Sequence, residues 1–577
     1  MEEIREQLKQ AIKNLYDLDF DPEIVPSPAN IDADYSTNAP LRLAKTLHQP
    51  PMEIAKKIEE FIKGFLINST LPGFLNFKLD DACLADKISH LYNNFEQEIS
   101  SDEYAGKTVI CEFSDPNPFK VLHVGHLYTS IVGDSIGRLY EYAGAKVIRA
   151  NFGGDVGLHV AKTMYALLQK DTSDLKIDDI AKCYIEGTAL YDEDEAAHDV
   201  ITKLNKEIYK INAENLHDSK LAEVYWKGRE LSYKYFNNFY ATIGVKFDKY
   251  YPESTVAALG LKTVKEQLKK GVYELSDGAV IFNGDKYGLH TRVFINKEGV
   301  PTYEAKDVGL IFTKWQDWHF NKSIVITGSE QLDYMKVVLK SIEQYAPDLV
   351  AKTSHLIHGL VKLPGGVKMS SRKGNFLKAV DVLGMIDKAL KDEYNSTDQK
   401  VSLAATKYAF LKYKMGGNII FDPHESVKMT GNSGPYLLYS CVRAKKILAK
   451  AGVAEMPHRK ASGAWQGEDE RAVPVATGDG DAAREESILG KIPTSEKTLV
   501  KKLLEYKYML SEAVTEMAPH KLANYLYELA QDFSRFYENC QVLGCTEEEE
   551  RLKLVQIYLN IMTHGLNILG IEIPEEM

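Results

Sequence analysis

Six cysteines in 577 residues, none of them in a CxxC spacing, leave neither a zinc ligand set nor a disulfide framework to read. Reduced thiols and no bound structural metal are the expectation. No apolar run approaches the roughly 18 residues that a membrane span needs, so a membrane is not an expected partner. The opening Met1-Glu2-Glu3-Ile4-Arg5-Glu6 is acidic and amphipathic. It lacks the apolar core of an export signal and the Arg/Ser-rich pattern of an import signal, which makes the cytoplasm the expected compartment. Internal repeats are absent as well. So is an excess of basic charge: 70 Lys and Arg stand against 82 Asp and Glu, a net charge of −12. Binding to nucleic acid would therefore have to come from a local basic surface and not from the total.

What remains is a globular chain, 44% hydrophobic and 26% charged, and too long for one core. Three regions are expected. Residues 1–105 read as a small α/β unit, with helical patterns at the start and around residues 51–66. The alternating Pro72-Gly73-Phe74-Leu75-Asn76-Phe77-Lys78-Leu79 follows as a half-buried strand. Residues 106–425 form a second region. There Val109-Ile110-Cys111-Glu112-Phe113 is a short strand, a Pro-rich loop follows, a helix starts near His126, and Gly144 ends it before the strand Lys146-Val147-Ile148-Arg149-Ala150. Strand, loop, helix and strand predict a βαβ unit in a parallel sheet, with the ligand at the strand C-termini. Residues 160–250 read as a charged helical insertion, and runs at 279–283, 291–296 and 323–327 are expected to complete the sheet. Residues 426–577 are strongly helical, interrupted at 454–486 by a Gly-, Ala- and acid-rich stretch without periodicity.

Two motifs carry chemistry. His123-Val124-Gly125-His126 lies between a strand and a helix N-terminus, where free N–H groups and the helix dipole favour a phosphate. Gly125 allows close approach to the backbone, and the imidazoles can donate hydrogen bonds. A plainer account, two histidines capping a helix, competes with it. The second motif, Gly365-Gly366-Val367-Lys368-Met369-Ser370-Ser371-Arg372-Lys373-Gly374-Asn375, is a glycine-flanked loop with three cations. Alone it is an ordinary basic surface loop. Together with the histidine turn it suits a triphosphate whose leaving pyrophosphate gathers charge.

The pair resembles the HIGH and KMSKS signatures of the class I aminoacyl-tRNA synthetases. The chain is similar in particular to the arginyl-tRNA synthetases, through Ser114-Asp115-Pro116-Asn117-Pro118, Gly154-Asp155-Val156-Gly157, Pro301-Thr302-Tyr303 with Lys306-Asp307, Gly431-Asn432-Ser433-Gly434-Pro435-Tyr436 and the ending Leu569-Gly570-Ile571-Glu572-Ile573-Pro574. The resemblance implies an α/β multidomain fold. It would comprise a Rossmann-like parallel-sheet catalytic domain with a helical insertion, a small N-terminal α/β domain, and an all-α C-terminal anticodon-binding bundle. In three places the chain departs from the pattern. Tyr128 stands where Arg is frequent, His159 where Gln is usual, and Ser371 where the signature has its second Lys.

The implied reaction joins L-arginine to tRNA(Arg) with ATP, through arginyl-adenylate, with Mg2+ as the nucleotide's counter-ion. His123, His126, Lys368 and Arg372 would be catalytic, and Gly125, Met369, Ser370 and Ser371 would join the histidines in holding ATP. Glu112, Asp115, Asn117, Tyr303, Asp307 and Gln331 would hold arginine, since a guanidinium is a planar fork of donors that needs such acceptors. Phe74 and Asn76 in the N-terminal region, and Tyr436, Tyr439 and Arg443 in the helical one, would touch tRNA. The protein would act as a monomer. The alternatives are a class I synthetase for another amino acid, a nucleotidylyltransferase, and a non-catalytic tRNA-binding paralogue. The cation loop generates a direct expectation: Lys368→Ala should slow amino-acid activation, measured by ATP–pyrophosphate exchange, far more than it weakens arginine binding measured at equilibrium.

Overall fold

The residues Val109, Ile110 and Cys111 are apolar without alternation, as a strand covered on both faces requires. In the computed structural model they lie at the centre of a five-stranded, wholly parallel sheet. The structure describes residues 2–28, 31–63, 65–364, 377–453 and 494–577, so Lys368, Met369, Ser370, Ser371, Arg372 and the stretch 454–486 lie outside the described residues.

The strands are Thr108–Glu112 (β1), Lys146–Gly153 (β2), Lys249–Pro252 (β3), Lys322–Gly328 (β4) and Thr353–His358 (β5), in the spatial order β5-β4-β1-β2-β3. Val109 pairs with Val147 across β1 and β2, and Ile110 with Ser323 across β1 and β4. The chain thus winds outward from β1 in one direction and then resumes on its other flank. The connections leave in opposite directions beside β1, opening a crevice at its C-terminal end. The helix Val124–Tyr142 (α1) begins there. Its Asp134, buried, accepts hydrogen bonds from Arg138 Nε at 2.7 Å and from Arg149 Nε at 2.9 Å, which ties α1 to β2.

Two expected strands of this sheet are elsewhere. Ala279–Phe282 and Arg292–Ile295 pair antiparallel with each other, and Glu274–Ser276 completes a separate three-stranded sheet. The cause is local: Asp277 and Gly278 both take positive φ, 48° and 83°, the Asp-Gly turn that closes a tight hairpin. The last parallel strand, β5, had no apolar run to reveal it, because Thr353-Ser354-His355-Leu356-Ile357-His358 is half-buried throughout at the sheet edge.

Between β2 and β3 come four helices, Leu158–Leu167, Ile177–Glu193, Glu195–Glu214 and Lys220–Thr242, with a core of their own that includes Val160, Met164, Ile180, Ile208 and Tyr225. Between β3 and β4 lie Glu253–Lys269 (α2) and Tyr303–Trp318 (α3). These two cross backbone to backbone. A Cβ on Gly260 would overlap the Ala305 carbonyl, and one on Gly309 the Val256 carbonyl.

By packing, Ser100–Arg443, Met509–Tyr527 and Met562–Met577 make one compact unit and Met1–Ile99, Ala444–Tyr508 and Glu528–Ile561 another. The second contains a four-stranded antiparallel sheet in the order Val25–Pro26, Tyr35–Thr37, Phe74–Lys78, Leu66–Thr70. From Gly434 onward every described element is a helix. Among the described residues no helix is long and apolar enough to cross a membrane.

The α2–α3 crossing predicts that Gly260→Ala costs about 1–3 kcal/mol, the usual range for overpacking. The variant should melt at a lower temperature, and because α3 must shift, occupancy of the acidic cavity described below should weaken more than that of the histidine cavity.

Candidate active site

The chain leaves β1 after Glu112 and reaches α1 at Val124 through a loop whose start is strained. Ser114 and Asp115 both take positive φ, 72° and 51°, a conformation that non-glycine residues adopt only when held. Asp115 is held by its Oδ1, which accepts from Phe152 N at 2.7 Å, and Asn117 Oδ1 accepts from Gly154 N at 2.8 Å. The loop is in this way laced to the end of β2.

At the start of α1, both histidines of the turn serve as caps. His123 Nδ1 accepts from Gly125 N at 3.1 Å and His126 Nδ1 accepts from His123 N at 3.0 Å, with the two rings stacked at 3.7 Å. Each Nδ1 is an acceptor, so in the neutral ring the hydrogen sits on Nε2. Burial, with His358 and Lys120 nearby, holds His123 down to about 4, and burial beside His123 puts His126 well below the usual histidine range. Both are therefore neutral at pH 7 and present Nε2–H as donors. Capping does not exclude ligand binding here, because it leaves the Nε2–H of each ring as a donor. Gly125 is required by the same arrangement, since a Cβ there would come within 2.9 Å of the His123 ring.

A cavity of about 430 Å³ opens on this turn, lined also by Asp115, Asn117, Gln331, His358, Val361 and Leu377. Val361 and Leu377 are the nearest described lining residues on either side of the cation loop in sequence. Past the loop, Val124 N donates to Leu377 O at 2.9 Å and Ala379 N to Leu122 O at 3.0 Å, so the chain returns directly beside His123.

A second cavity of about 380 Å³ shares Asp115, Asn117, Thr327 and Gln331 with the first and is acidic. Five of its lining residues are acids: Glu112, Asp115, Glu253, Glu304 and Asp307. Three bases reach them, each taking one partner. Lys314 Nζ sits 2.5 Å from Glu112, Lys306 Nζ 2.6 Å from Glu253, and Arg292 Nη1 3.2 Å from Glu304. Asp115 and Asp307 are left without a base. Burial and the nearby Glu112 push Asp115 well above the usual carboxylate range, and burial, opposed by the Tyr334 hydroxyl, raises Asp307 to about 8. Two buried carboxyls lacking a counter-charge, beside the Tyr303 ring at the mouth and the Gln331 amide, make a seat for an extended organic cation.

The structure thus brings together His123, Gly125, His126, Glu112, Asp115, Asn117, Tyr303, Asp307 and Gln331 along one continuous wall. Other candidates are not among the residues that line these cavities. Tyr436, Tyr439 and Arg443 share one face of the helix Gly434–Lys450, with Tyr439 exposed and Tyr436 edge-on to Tyr527 at 5.7 Å. In the other unit Phe74 exposes part of its ring, whereas Asn76 is buried and bonded to Ser36, Asn68 and Thr70 within its sheet. Of the departures, Tyr128 is fully buried between His358, edge-on at 4.9 Å, and Phe410, stacked at 5.4 Å. His159 Nε2 lies 2.7 Å from Gly154 O and supports the loop that receives Asn117.

Four residues went unread in the sequence. Lys314 and Tyr334 touch Glu112 and Asp307 from 202 and 27 residues away, distances that no local pattern spans. His358 closes β5. Lys120 lies three residues before His123, near enough to have been found, and with His123, His126, Lys182, Tyr184 and Lys378 it lines a further cavity of about 390 Å³.

Comparison with known proteins gives the family. Residues 88–422 match the family described as tRNA synthetases class I (R), catalytic domain; residues 437–577 match the DALR anticodon binding domain and residues 2–79 the arginyl tRNA synthetase N terminal domain. Similar curated proteins include the arginine–tRNA ligases of Bacteroides fragilis, 26% identical with 91% of each chain covered, and of Clostridium botulinum, 28% identical with 93% of this chain and 92% of the relative covered. Among solved structures, the arginyl-tRNA synthetase of Thermus thermophilus superimposes with a TM-score of 0.76 at 23% identity, covering 100% of this chain and 99% of that one. That of Plasmodium falciparum gives 0.76 at 22% identity, with the same coverage. At such identities these two establish the fold.

The acidic cavity makes a prediction about protons. Asp307 holds its proton below about 8 in the free protein, and a cation seated beside it favours the ionised form. Binding of free arginine at pH 7 should therefore release up to one proton from this group. Affinity should rise with pH and level off above about 8, where the group has already ionised. Titration calorimetry in buffers of different ionisation enthalpy measures the release, and Asp307→Asn should remove this group's share of it while leaving any release from Asp115.

Proposed function

The chain belongs to the arginyl-tRNA synthetases of class I, and on that premise we propose that it joins L-arginine to tRNA(Arg) in two steps driven by ATP. The observation that carries the reading is the shared wall. A cation seat with two uncompensated carboxyls adjoins a phosphate-binding helix N-terminus, so an amino acid with a charged, forked side chain lies with its carboxylate towards the nucleotide.

Asp307, with Tyr334 behind it, and Glu112, oriented by Lys314, receive the guanidinium, and Tyr303 and Gln331 flank it. Asp115, with the second lone pair of Asn117 Oδ1, receives the α-ammonium. ATP lies across Gly125 with its phosphates at His123 and His126. A carboxylate oxygen of arginine attacks the α-phosphorus, the bond to the bridging oxygen breaks, and pyrophosphate leaves. The neutral imidazoles donate Nε2–H to the phosphate oxygens and need neither gain nor lose a proton. Lys120, Lys368 and Arg372 balance the charge on the leaving group. In the second step the terminal ribose 2′-hydroxyl of tRNA attacks the activated carbonyl, AMP departs and the hydroxyl proton passes to solvent. Positioning and electrostatics carry both steps, without a protein nucleophile.

Mg2+ is proposed as the counter-ion of ATP, held by its phosphate oxygens. The side chains around the histidine turn include cations such as Lys120, a set that suits phosphate and not a resident metal. Tyr436, Tyr439 and Arg443 combine aromatic faces and a fork on one helix face, as contact with unpaired anticodon bases requires. Phe74 is assigned to the body of the tRNA, with Asn76 as the support of its strand. Residues 1–105, 106–425 and 426–577 serve as the tRNA-contacting, catalytic and anticodon-binding regions of a cytoplasmic monomer.

The test is ATP–pyrophosphate exchange across the amino acids, with and without tRNA, followed by charging of tRNA. Arginine alone should support both, and exchange driven by a different amino acid would overturn the assignment. Within the same assays His126→Ala should lower kcat by about 10²–10³, as loss of one preorganised donor does, while leaving the equilibrium affinity for arginine nearly unchanged.

A further inference from the structure

His358 points its hydrogen bonds in the opposite sense to the histidines of the turn. Its Nδ1 lies 2.7 Å from Gly359 O, an atom that can only accept, so Nδ1 carries the hydrogen and Nε2 of the neutral ring is an acceptor. The ring is held in place: Tyr128 packs edge-on at 4.9 Å, and a Cβ on Gly125 would stand 3.7 Å from Cε1. Burial keeps His358 below the usual histidine range, which preserves the acceptor at neutral pH. No described residue bonds Nε2, and the side chain lines the histidine cavity together with Leu360 and Val361.

Beside it, the short strand Val361–Lys362 offers a polar edge. Leu360 N donates to Asn418 Oδ1 at 2.9 Å, Leu360 O accepts from Ile419 N at 2.9 Å, and Lys362 O accepts from Phe421 N at 2.8 Å. Because successive residues of a strand face opposite ways, the N–H and C=O of Val361 turn away from that pairing. One donor and two acceptors therefore meet on this wall: Val361 N–H, Val361 C=O and His358 Nε2. Adenine presents the complement, an acceptor at N1 and two hydrogens on the 6-amino group. A 6-oxo purine carries a hydrogen on N1 and lone pairs at position 6, and so sets donor against donor and acceptor against acceptor.

We propose that His358 is a specificity-determining residue for the nucleotide, accepting the second hydrogen of the adenine 6-amino group and excluding 6-oxo purines. The inference rests on the reading of this cavity as the ATP site. A site built to bond a polar group rejects the analogue that lacks it, because the acceptor on the wall is left unpaired.

The experiment compares kcat/KM for arginine-dependent charging of tRNA with ATP, purine riboside triphosphate and inosine triphosphate, in the wild-type chain and in the His358→Phe and His358→Gln variants. The wild type should rank them in that order. His358→Phe should shrink the ATP preference over inosine triphosphate by about tenfold, mainly through poorer use of ATP. His358→Gln, whose amide can present either an oxygen or an amino group, should shrink it through better use of inosine triphosphate. A preference unchanged in both variants would overturn the proposal. So would wild-type chain that uses purine riboside triphosphate as well as ATP, a result that does not depend on either variant folding. Failure of the wild-type chain to charge tRNA with ATP would instead remove the reading on which the inference rests, and the inference with it.

Discussion

Lys314 of α3 and Glu112 at the C-terminal end of β1 form a buried ion pair, and much of the site is arranged by it. An isolated charge at either position would be intolerable, and breaking such a pair by removing one member costs about 3–5 kcal/mol. The pair therefore sets where α3 lies on β1, aided by Ser323 Oγ of β4 at 3.2 Å from the same ammonium. Asp307 is seven residues before Lys314, two turns back on the same face of the helix, and Tyr303 is one turn further. Once Lys314 is anchored, Asp307 is carried to the end of β1, where Asp115 and Asn117 already stand. The buried pair adds little net stability, and its value lies in the register it imposes.

The histidine turn obeys a similar economy. The orphan N–H groups at the start of α1 must find acceptors, and two of them find imidazole Nδ1 atoms. The consequence for chemistry is a pair of neutral rings with donors outward. Helix capping on one side of each ring fixes the donor that the other side would offer to a phosphate under the proposed reading.

How much of this could be read from the sequence depended on range. The β1–loop–α1–β2 unit was legible because its signals are local: an apolar run, a glycine after a helix, a second run. The residues proposed to hold arginine were drawn from the order of motifs, and Glu112, Asp115, Asn117, Tyr303, Asp307 and Gln331 line one cavity. Some buried acids near the site are bound up within the fold. Asp155 accepts from Ser254 N and Arg229 Nε, both at 3.0 Å, and Asp134 joins α1 to β2. Strand β5 was illegible because an edge strand has no apolar run to show. Residues 279–296 were misplaced because Asp277-Gly278 marks a hairpin, a signal stronger than the apolar runs around it. The counter-charges on Glu112, Glu253 and Glu304 could not have been foreseen, since each pairing is a product of the tertiary fold.

The crossing of α2 and α3 through Gly260 and Gly309 bears on how selectivity is achieved. With their backbones touching, the two helices cannot slide closer, so the wall bearing Glu253, Lys306 and Asp307 cannot collapse onto a shorter occupant. On the proposed reading of this cavity as the arginine seat, lysine or ornithine would enter it with one point charge in place of a fork, and the space beyond would stay open. The void itself becomes the instrument of rejection: a near-miss ligand is turned away by the incompressibility of what surrounds it, with no need for a clash.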